Sequence, residues 1–548
     1  MSTADSWKLL VFRDGQRKRA SRELLGGLLT QIESVESLSD FASQFARDEL
    51  IDALLRAGEL ECAVADQEGC HSQARALSRV TDALAQALVH GSRPRLEAAA
   101  LCALERDSIP DALTVSTPEG FCYYALHPLD YVDLLNEYQF DIGAAAVIGI
   151  RSIGTTLSAI VRAWFEAKRI PADRITVRPT GHPFDRGLNL HANQRSWITG
   201  QLQRDSQFFI VDEGPGLSGS SFLSVAEALV QAGVSSEQIV LLPSSTPNFS
   251  NLLAQNAATR WSRFRTLALK PTRRIPEDAA EFVGGGEWRK QVFDSESEWP
   301  AVWSWTERQK YLSQDRQRIF RFDGHGPYGK EVRKRTEALA AHGWGPEVSS
   351  CGEGFSVSPW IKGSKLRSAD QKLTLQLARY CAFRAEHFCC NSASHVDLEH
   401  MAQINLARGV GVNRRIDLPV ERPVISDSRM MPYEWIVSSD DRLLKFDAAS
   451  HGDDHFYPGP CDIAWDIAGA VLEWKLHEEA MELLINEYVQ ISGDRIAHRL
   501  PSYLIAYSIF RLGFSTSARQ ANSSAAEVRL FERDSVFYRN RLNALLNN

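Results

Sequence analysis

Phe208-Phe-Ile-Val-Asp-Glu-Gly-Pro-Gly-Leu-Ser-Gly-Ser-Ser-Phe222 is the stretch on which the reading of this chain turns. Apolar residues of strand length end on two carboxylates, and glycine and serine then open a helix. Free amides in a turn at a helix N-terminus attract anions. Residues 216–221 therefore suit a phosphate, with Asp212 and Glu213 placed to hold sugar hydroxyls or Mg²⁺. An ordinary strand-to-helix turn of an α/β domain has the same pattern, and the stretch by itself leaves both readings open.

A second strand, polar turn and helix lie upstream. Residues 144–150 are a continuous apolar run, followed by Arg151-Ser-Ile-Gly-Thr-Thr156 and an apolar-periodic helix through Phe165. Gly154 and the hydroxyls of Ser152, Thr155 and Thr156 give an anion a second place to sit, and Arg151 adds charge. Residues 175–178 read as another strand leading into Pro179-Thr-Gly-His-Pro-Phe-Asp-Arg186, with Arg178, His182 and Arg186 at hand. Helix 225–232 and strand 239–242 continue the alternation. Such a pattern predicts a parallel sheet covered on both faces, with ligand at the carboxyl ends of its strands. All three polar segments fall at such ends.

The chain has 548 residues, room for three or four domains. Its 61 Lys+Arg against 69 Asp+Glu give a net charge of −8, which removes the global basic field that sequence-independent nucleic-acid binding needs. No apolar run reaches a membrane span, and residues 1–20 lack a signal-peptide core, so the expectation is a cytoplasmic protein. Nine cysteines, an odd number, read as reduced thiols. A zinc site at His387, Cys389, Cys390 and His395 is the alternative to core packing there, and core packing is the better reading. Residues 21–106 carry helical periodicity alone, which predicts a helical N-terminal region (1–110) that covers or positions the next domain. Residues 113–115 and 121–126 around Pro118 read as a short β-hairpin. Pro271, Pro276 and Gly284-Gly-Gly286 mark 270–313 as a linker, and Trp299, Trp303 and Trp305 as a domain interface.

On these residues, 111–269 resembles a type I phosphoribosyltransferase, whose signature is an apolar strand, two acidic residues, a spacer and a hydroxyl-rich turn. The resemblance implies Asp212 and Glu213 as the catalytic carboxylate pair. It puts Gly216, Ser218, Gly219, Ser220 and Ser221 on the phosphate, and Arg151, Ser152, Gly154, Thr155 and Thr156 in the loop that receives pyrophosphate. The spacer, Gly214-Pro-Gly-Leu217, is one residue longer than usual. The substrate implied is 5-phosphoribosyl 1-pyrophosphate (PRPP) with Mg²⁺, and the acceptor a small nitrogenous or nucleotide-like metabolite. Arg178 and Arg186 are each either a pyrophosphate clamp or a surface arginine; His182 reads as structural.

The second half begins with a strand at 319–322, a glycine-rich turn at 324–329 and a helix at 331–342. Leu443-Leu-Lys-Phe-Asp447 closes a strand on an aspartate, and Cys461-Asp-Ile-Ala-Trp-Asp-Ile-Ala468 opens a helix. On that order and spacing, 314–548 resembles the aminoglycoside and choline kinase branch of the protein-kinase-like fold. The resemblance implies Asp447 as metal ligand and Asp466 as the brace of the catalytic loop, which falls on Asp427-Ser-Arg-Met-Met-Pro-Tyr-Glu434. Glu434 stands where that family has a metal-binding asparagine, and Arg429 where it has the catalytic aspartate. An arginine cannot accept a hydroxyl proton. Arg321 takes the place of the lysine on ATP phosphates, with Glu331 or Glu337 as its helix partner; Asp453, Asp454 and His455 read as a solvated turn. Residues 538–546 read as an interface helix.

The fold expected is multidomain α/β: a helical N-terminal region, a parallel-sheet phosphoribosyltransferase-like domain, then an α+β kinase-like domain with a helical C-terminus. The function expected is a Mg²⁺-dependent transferase acting on a small molecule, with ATP as a second ligand and with a homo-oligomer or a partner docking through the N-terminal helices. Two alternatives stand beside it: a non-catalytic PRPP or nucleotide sensor or scaffold, and a small-molecule phosphotransferase whose first domain is a binding module.

Overall fold

The computed structural model describes residues 9–11, 16–106, 109–182, 184–216, 218–249, 252–270, 274–391, 396–453 and 459–547. Strand β1 (Gln16–Ala20) runs straight into α1 (Ser21–Glu36), and α2 (Gln44–Ala65), α3 (His71–His90) and α4 (Ala98–Arg106) complete a helical layer. Leu50, Leu54, Val80 and Leu84 recur at helical spacing and all are buried. The Ser43 hydroxyl caps α2 by accepting from the Ala46 amide.

Strand β2 (Ala112–Ser116) pairs antiparallel with β1, Gln16 opposite Ser116. The expected hairpin of 113–115 with 121–126 is not formed. The Pro118 carbonyl accepts from the Phe121 and Cys122 amides, which winds α5 (Glu119–Cys122) where a returning strand was expected.

The parallel sheet follows as α6 (Asp130–Asn136), β3 (Ala145–Ile150), α7 (Ile153–Ala167) and β4 (Ala172–Val177), then the hairpin β5 (Thr180–His182) and β6 (Asp185–Gly187) and α8 (Ala192–Gln203). It continues through β7 (Gln207–Val211), α9 (Ser220–Gln231), β8 (Ile239–Leu242), α10 (Ala257–Trp261) and β9 (Arg265–Thr266). Strand order is β4-β3-β7-β8-β9, every pairing parallel. Side chains alternate across it. Val147, Phe209, Val211 and Val240 pack toward α7 and the N-terminal helices, while Ile148, Phe208, Ile210 and Leu241 pack toward α9. One core thus runs from Leu28 on α1 to Leu242, continuous across residue 110.

The stretch expected as a linker carries structure of its own. Residues 270–313 hold β10 (Ala279–Phe282), α11 (Arg289–Val292) and β11 (Lys310–Ser313). Both strands enter an antiparallel sheet ordered β10-β11-β12-β14-β13, with β12 (Arg318–Phe322), β13 (Ser349–Gly352) and β14 (Phe355–Pro359). The glycines at 284–286 make the long loop between two paired strands. Helix α12 (Gly326–Ala341) starts inside the expected glycine turn because Pro327 stands in its first turn, where a missing N–H costs nothing.

Below lie β15 (Gly363–Lys365), α13 (Gln371–His387), α14 (Val396–Val410), β16 (Pro423–Val424), β17 (Trp435–Ser438), β18 (Leu443–Lys445) and β19 (Cys461–Asp462). Helices α15 (Ala464–Glu473), α16 (Glu478–Ser492), α17 (Leu500–Ala521) and α18 (Ala525–Asn547) end the chain. Tyr380, Trp435, Trp465 and Tyr507 are fully buried in this half's core. Residues 538–546, expected at an interface, pack within the chain: the Tyr538 hydroxyl meets Arg511 of α17 at 3.1 Å and Glu473 of α15 at 2.8 Å.

The two halves interlock. Lys330 of α12 pairs with Glu49 at 2.8 Å and Asp52 at 2.7 Å on α2, and Tyr328 reaches Glu59 at 2.9 Å. The Arg308 guanidinium donates to the Cys122 carbonyl and, at 2.9 Å, to the Asp323 carbonyl. Among the described residues no helix is long and apolar enough to cross a membrane.

Candidate functional site

Two cavities collect the candidate residues. The larger, about 1020 Å³, lies at the carboxyl ends of β3, β4 and β7. Gly149 and Val211 are register partners on adjacent strands, so the Arg151 and Asp212 loops open side by side, each into a helix. Two helix N-termini therefore face one cavity.

Asp212 and Glu213 line it, and among the described residues no basic side chain pairs with either. The Gly120 amide donates to Glu213 Oε2 at 3.0 Å, and Gly154 donates its amide to Asp212. Only glycine fits at Gly154, where backbone is in the way, and a side chain at Gly120 would displace the Glu213 carboxyl. A Cβ on Gly120 would sit 2.8 Å from the Glu213 carboxyl, and one on Gly154 would sit 2.5 Å from the Val211 carbonyl oxygen. Burial pushes Asp212 up to about 7, and burial with the nearby charges of Glu119 and Asp212 pushes Glu213 up to about 8. Arg178 and Arg186 act on Asp212 at longer range without pairing with it, and burial outweighs them. Ser152, at the start of α7, is held at φ 130° and ψ −121°, a conformation that L residues rarely adopt outside functional loops.

Arg151, Ser152, Arg178, Arg186, Gly216 and Ser221 also line this cavity, as their sequence positions implied. The remaining expected contacts lie behind it. Thr155 and Thr156 are buried against α2, with the Thr156 hydroxyl beside Gly58. Ser218 and Ser220 are buried and face each other, Oγ to Oγ 2.9 Å, so with Gly219 they shape the turn and do not line the cavity. Gly154 acts through its close approach to Asp212. Leu217 of the long spacer lies outside the described residues.

Asp66, at the C-terminal cap of α2, had no signal in the sequence. It accepts from Arg151 Nη1 at 3.0 Å and from Arg178 Nε at 3.2 Å and Nη2. A carboxylate of the N-terminal region thus sits between the two arginines of this cavity. Trp303 and Trp305 bring the second half to the opposite rim.

The second cavity, about 350 Å³, lies between the β10–β14 sheet and the helical part of the second half. Asp466 accepts from the Asp427 and Ser428 amides, both at 2.9 Å, and fixes the 427–434 loop. Arg321 pairs with Asp323 at 2.9 Å and Asp447 at 3.2 Å. Glu331 and Glu337, expected as its partners, are exposed on α12. Two basic residues of this cleft were missed: Lys310, whose strand sits in the expected linker, and Lys445, buried one residue before Phe446. Lys310 Nζ pairs with Asp447, and Lys445 Nζ reaches Glu434 Oε2 at 2.8 Å, while Arg429 Nη2 reaches Glu434 Oε1 at 2.9 Å. Burial works to raise Asp447, and Lys310 and Arg321 outweigh it, so that carboxyl stays well below the ordinary range.

Donor chemistry separates the two cavities as metal sites. Asp212 and Glu213 are open carboxylates, and Mg²⁺ characteristically takes one or two of these together with substrate phosphate oxygens. They fit. Glu434 and Asp447, expected as the metal pair, are each closed by two basic side chains and do not fit. Among the described residues no group of three or more His, Cys, Asp or Glu side chains is gathered for a metal. Of the imagined zinc ligands, Cys389 is exposed and Cys390 half-buried, while His395, like Asp454 and His455, lies outside the described residues.

No family model matches the chain, and no curated protein does. Solved structures similar to part of it include the choline kinase LicA from Streptococcus pneumoniae, with 15% identity over 42% of this chain and 89% of that one at a TM-score of 0.30. An ethanolamine kinase from Plasmodium vivax has 11% identity over 44% and 79%, at 0.29. The macrolide 2'-phosphotransferase MphH from Brachybacterium faecium has 12% identity over 42% and 88%, at 0.28. At such scores the functional reading rests on this chain's own side chains.

Proposed function

We propose that the parallel-sheet cavity binds PRPP or a related ribosyl phosphate and transfers its ribosyl group to a small nitrogenous acceptor. The observation that carries this reading is the pair of carboxylates, Asp212 and Glu213, that no basic side chain among the described residues ion-pairs, set at the ends of adjacent strands beside two helix N-termini and the arginines of the same cavity. Ser221 and Gly216 face the 5′-phosphate from the start of α9. Arg151, Arg178 and Arg186 hold the pyrophosphate at the start of α7, where the amides after Ser152 add donors. Asp212 and Glu213 would hold Mg²⁺, which would supply positive charge for the leaving pyrophosphate. The chain's own part is to fix the ribose over the strand ends and to neutralise the leaving group with oriented N–H donors.

The test is a calorimetric titration of PRPP with Mg²⁺ into the intact chain and into Asp212→Asn with Glu213→Gln. Binding that weakens at least tenfold in the double variant supports the reading. No binding to the intact chain overturns it.

A second reading makes the chain a small-molecule phosphotransferase, with the first cavity as a binding module. The position of Asp447 at a strand end beside Lys310 and Arg321 favours it; Arg429 in the base position opposes it. Transfer of the ATP γ-phosphate that disappears in Asp447→Asn would establish this alternative.

A further inference from the structure

The cleft of the second half has the shape of a nucleotide site and the charges of something else. Two carboxylates, Glu434 and Asp447, stand where a divalent metal would be held, and four basic side chains close on them. Lys310 and Arg321 take Asp447, and Arg429 and Lys445 take Glu434. These are enclosed contacts: the side chains of Lys310, Arg321, Arg429 and Lys445 are each 13% exposed or less. At short range and low effective dielectric, four neighbouring cations against two carboxylates disfavour a divalent ion. A metal entering here would find no carboxylate with open charge.

The same cations suit a phosphate. Lys310 and Arg321 are register partners on β11 and β12, so their side chains leave one face of the sheet together. Lys362 adds charge at the mouth, and Ile319, Leu339, Trp360 and Ile436 form an apolar wall that a flat organic body can lie against. We infer that this cleft binds a phosphate ester of nucleotide size without a divalent metal, its phosphate oxygens displacing Asp447 as the partner of Lys310 and Arg321. Protein cations stand in for the metal.

Asp447 distinguishes the two arrangements. As a metal ligand it is needed for binding; as the occupant of the cationic pair it competes with the ligand. The experiment titrates ATP into the full chain by calorimetry, once in EDTA and once in excess Mg²⁺, and repeats both with Asp447→Asn. The expected result is binding in EDTA, no tighter in Mg²⁺, that strengthens severalfold in Asp447→Asn. Lys362→Glu, an exposed substitution outside the packed network, should weaken it severalfold and leave the melting temperature unchanged. ATP binding that appears only with Mg²⁺, that is lost in Asp447→Asn, or that is absent from the intact chain in EDTA overturns the inference.

Discussion

Replacing Asp66 by asparagine tests how the pyrophosphate side of the first cavity is kept. The carboxylate is shared by Arg151 at 3.0 Å and by Arg178, and the three side chains are 17–28% exposed. Partly exposed ion pairs of this kind contribute about 0.5–1 kcal/mol each. Two of them make about 1–2 kcal/mol that a pyrophosphate group must recover when it takes the arginines over. Asp66→Asn removes that competition, so Mg²⁺-pyrophosphate should bind about 5–30 times more tightly. Thermal stability should fall by a similar free energy, since the pairs also fasten α2 to the loops after β3 and β4. The two effects have opposite signs, and calorimetric titration together with differential scanning calorimetry reads both. Unchanged or weaker pyrophosphate binding refutes the reasoning: Asp66 would then be orienting the arginines or the anion would sit elsewhere.

Two further outcomes follow from geometry already given. Glu353 meets His127 at 3.0 Å and Arg47 at 3.0 Å; burial raises its carboxyl, but the His127 hydrogen bond and the basic side chains of His127, Arg47 and Arg274 outweigh this and bring it down to about 2. A lowered carboxyl gives stability that is complete above its unfolded value near 4.5 and lost as pH falls toward 2, here about 2–3 kcal/mol. Glu353→Gln should remove that acid-side slope from the unfolding free energy measured in urea between pH 5 and 2.5, and an unchanged slope would place the titration elsewhere. Ser152→Gly, at φ 130°, should raise the melting temperature by relieving about 1 kcal/mol of backbone strain; a lower melting temperature would mean that the serine side chain secures the loop.

What was legible in the sequence was local. Residues 145–150 form an uninterrupted apolar strand because both faces of a parallel sheet are covered, and all six are buried. The acidic pair at the end of β7 and the helices after both loops follow from the same run of neighbours. Partner choice was not legible. β2 pairs with a strand about a hundred residues upstream, which no turn signal at Pro118 announces. The glycines at 284–286 look the same between domains as between two strands of one sheet, so Lys310 was passed over inside the expected linker. Asp66 meets Arg178 across 112 residues. Thr155 and Ser218 have the residue types of a phosphate loop, and only packing decided that their side chains turn inward.

Helix α2 is a strut between distant parts. Its 22 residues span about 33 Å. Glu49 and Asp52 near one end hold Lys330 of α12, which leans over the second cleft through Thr336 and Leu339, and Asp66 at the other end holds Arg151 and Arg178. A stiff rod that shifts along its axis moves both ends together. A shift of α12 that carried α2 with it would change the grip of Asp66 on the arginines, and the expectation is that filling the cleft alters pyrophosphate affinity in the first cavity. Titrating pyrophosphate with and without saturating ATP measures that leverage directly: identical affinities would show that the rod does not move.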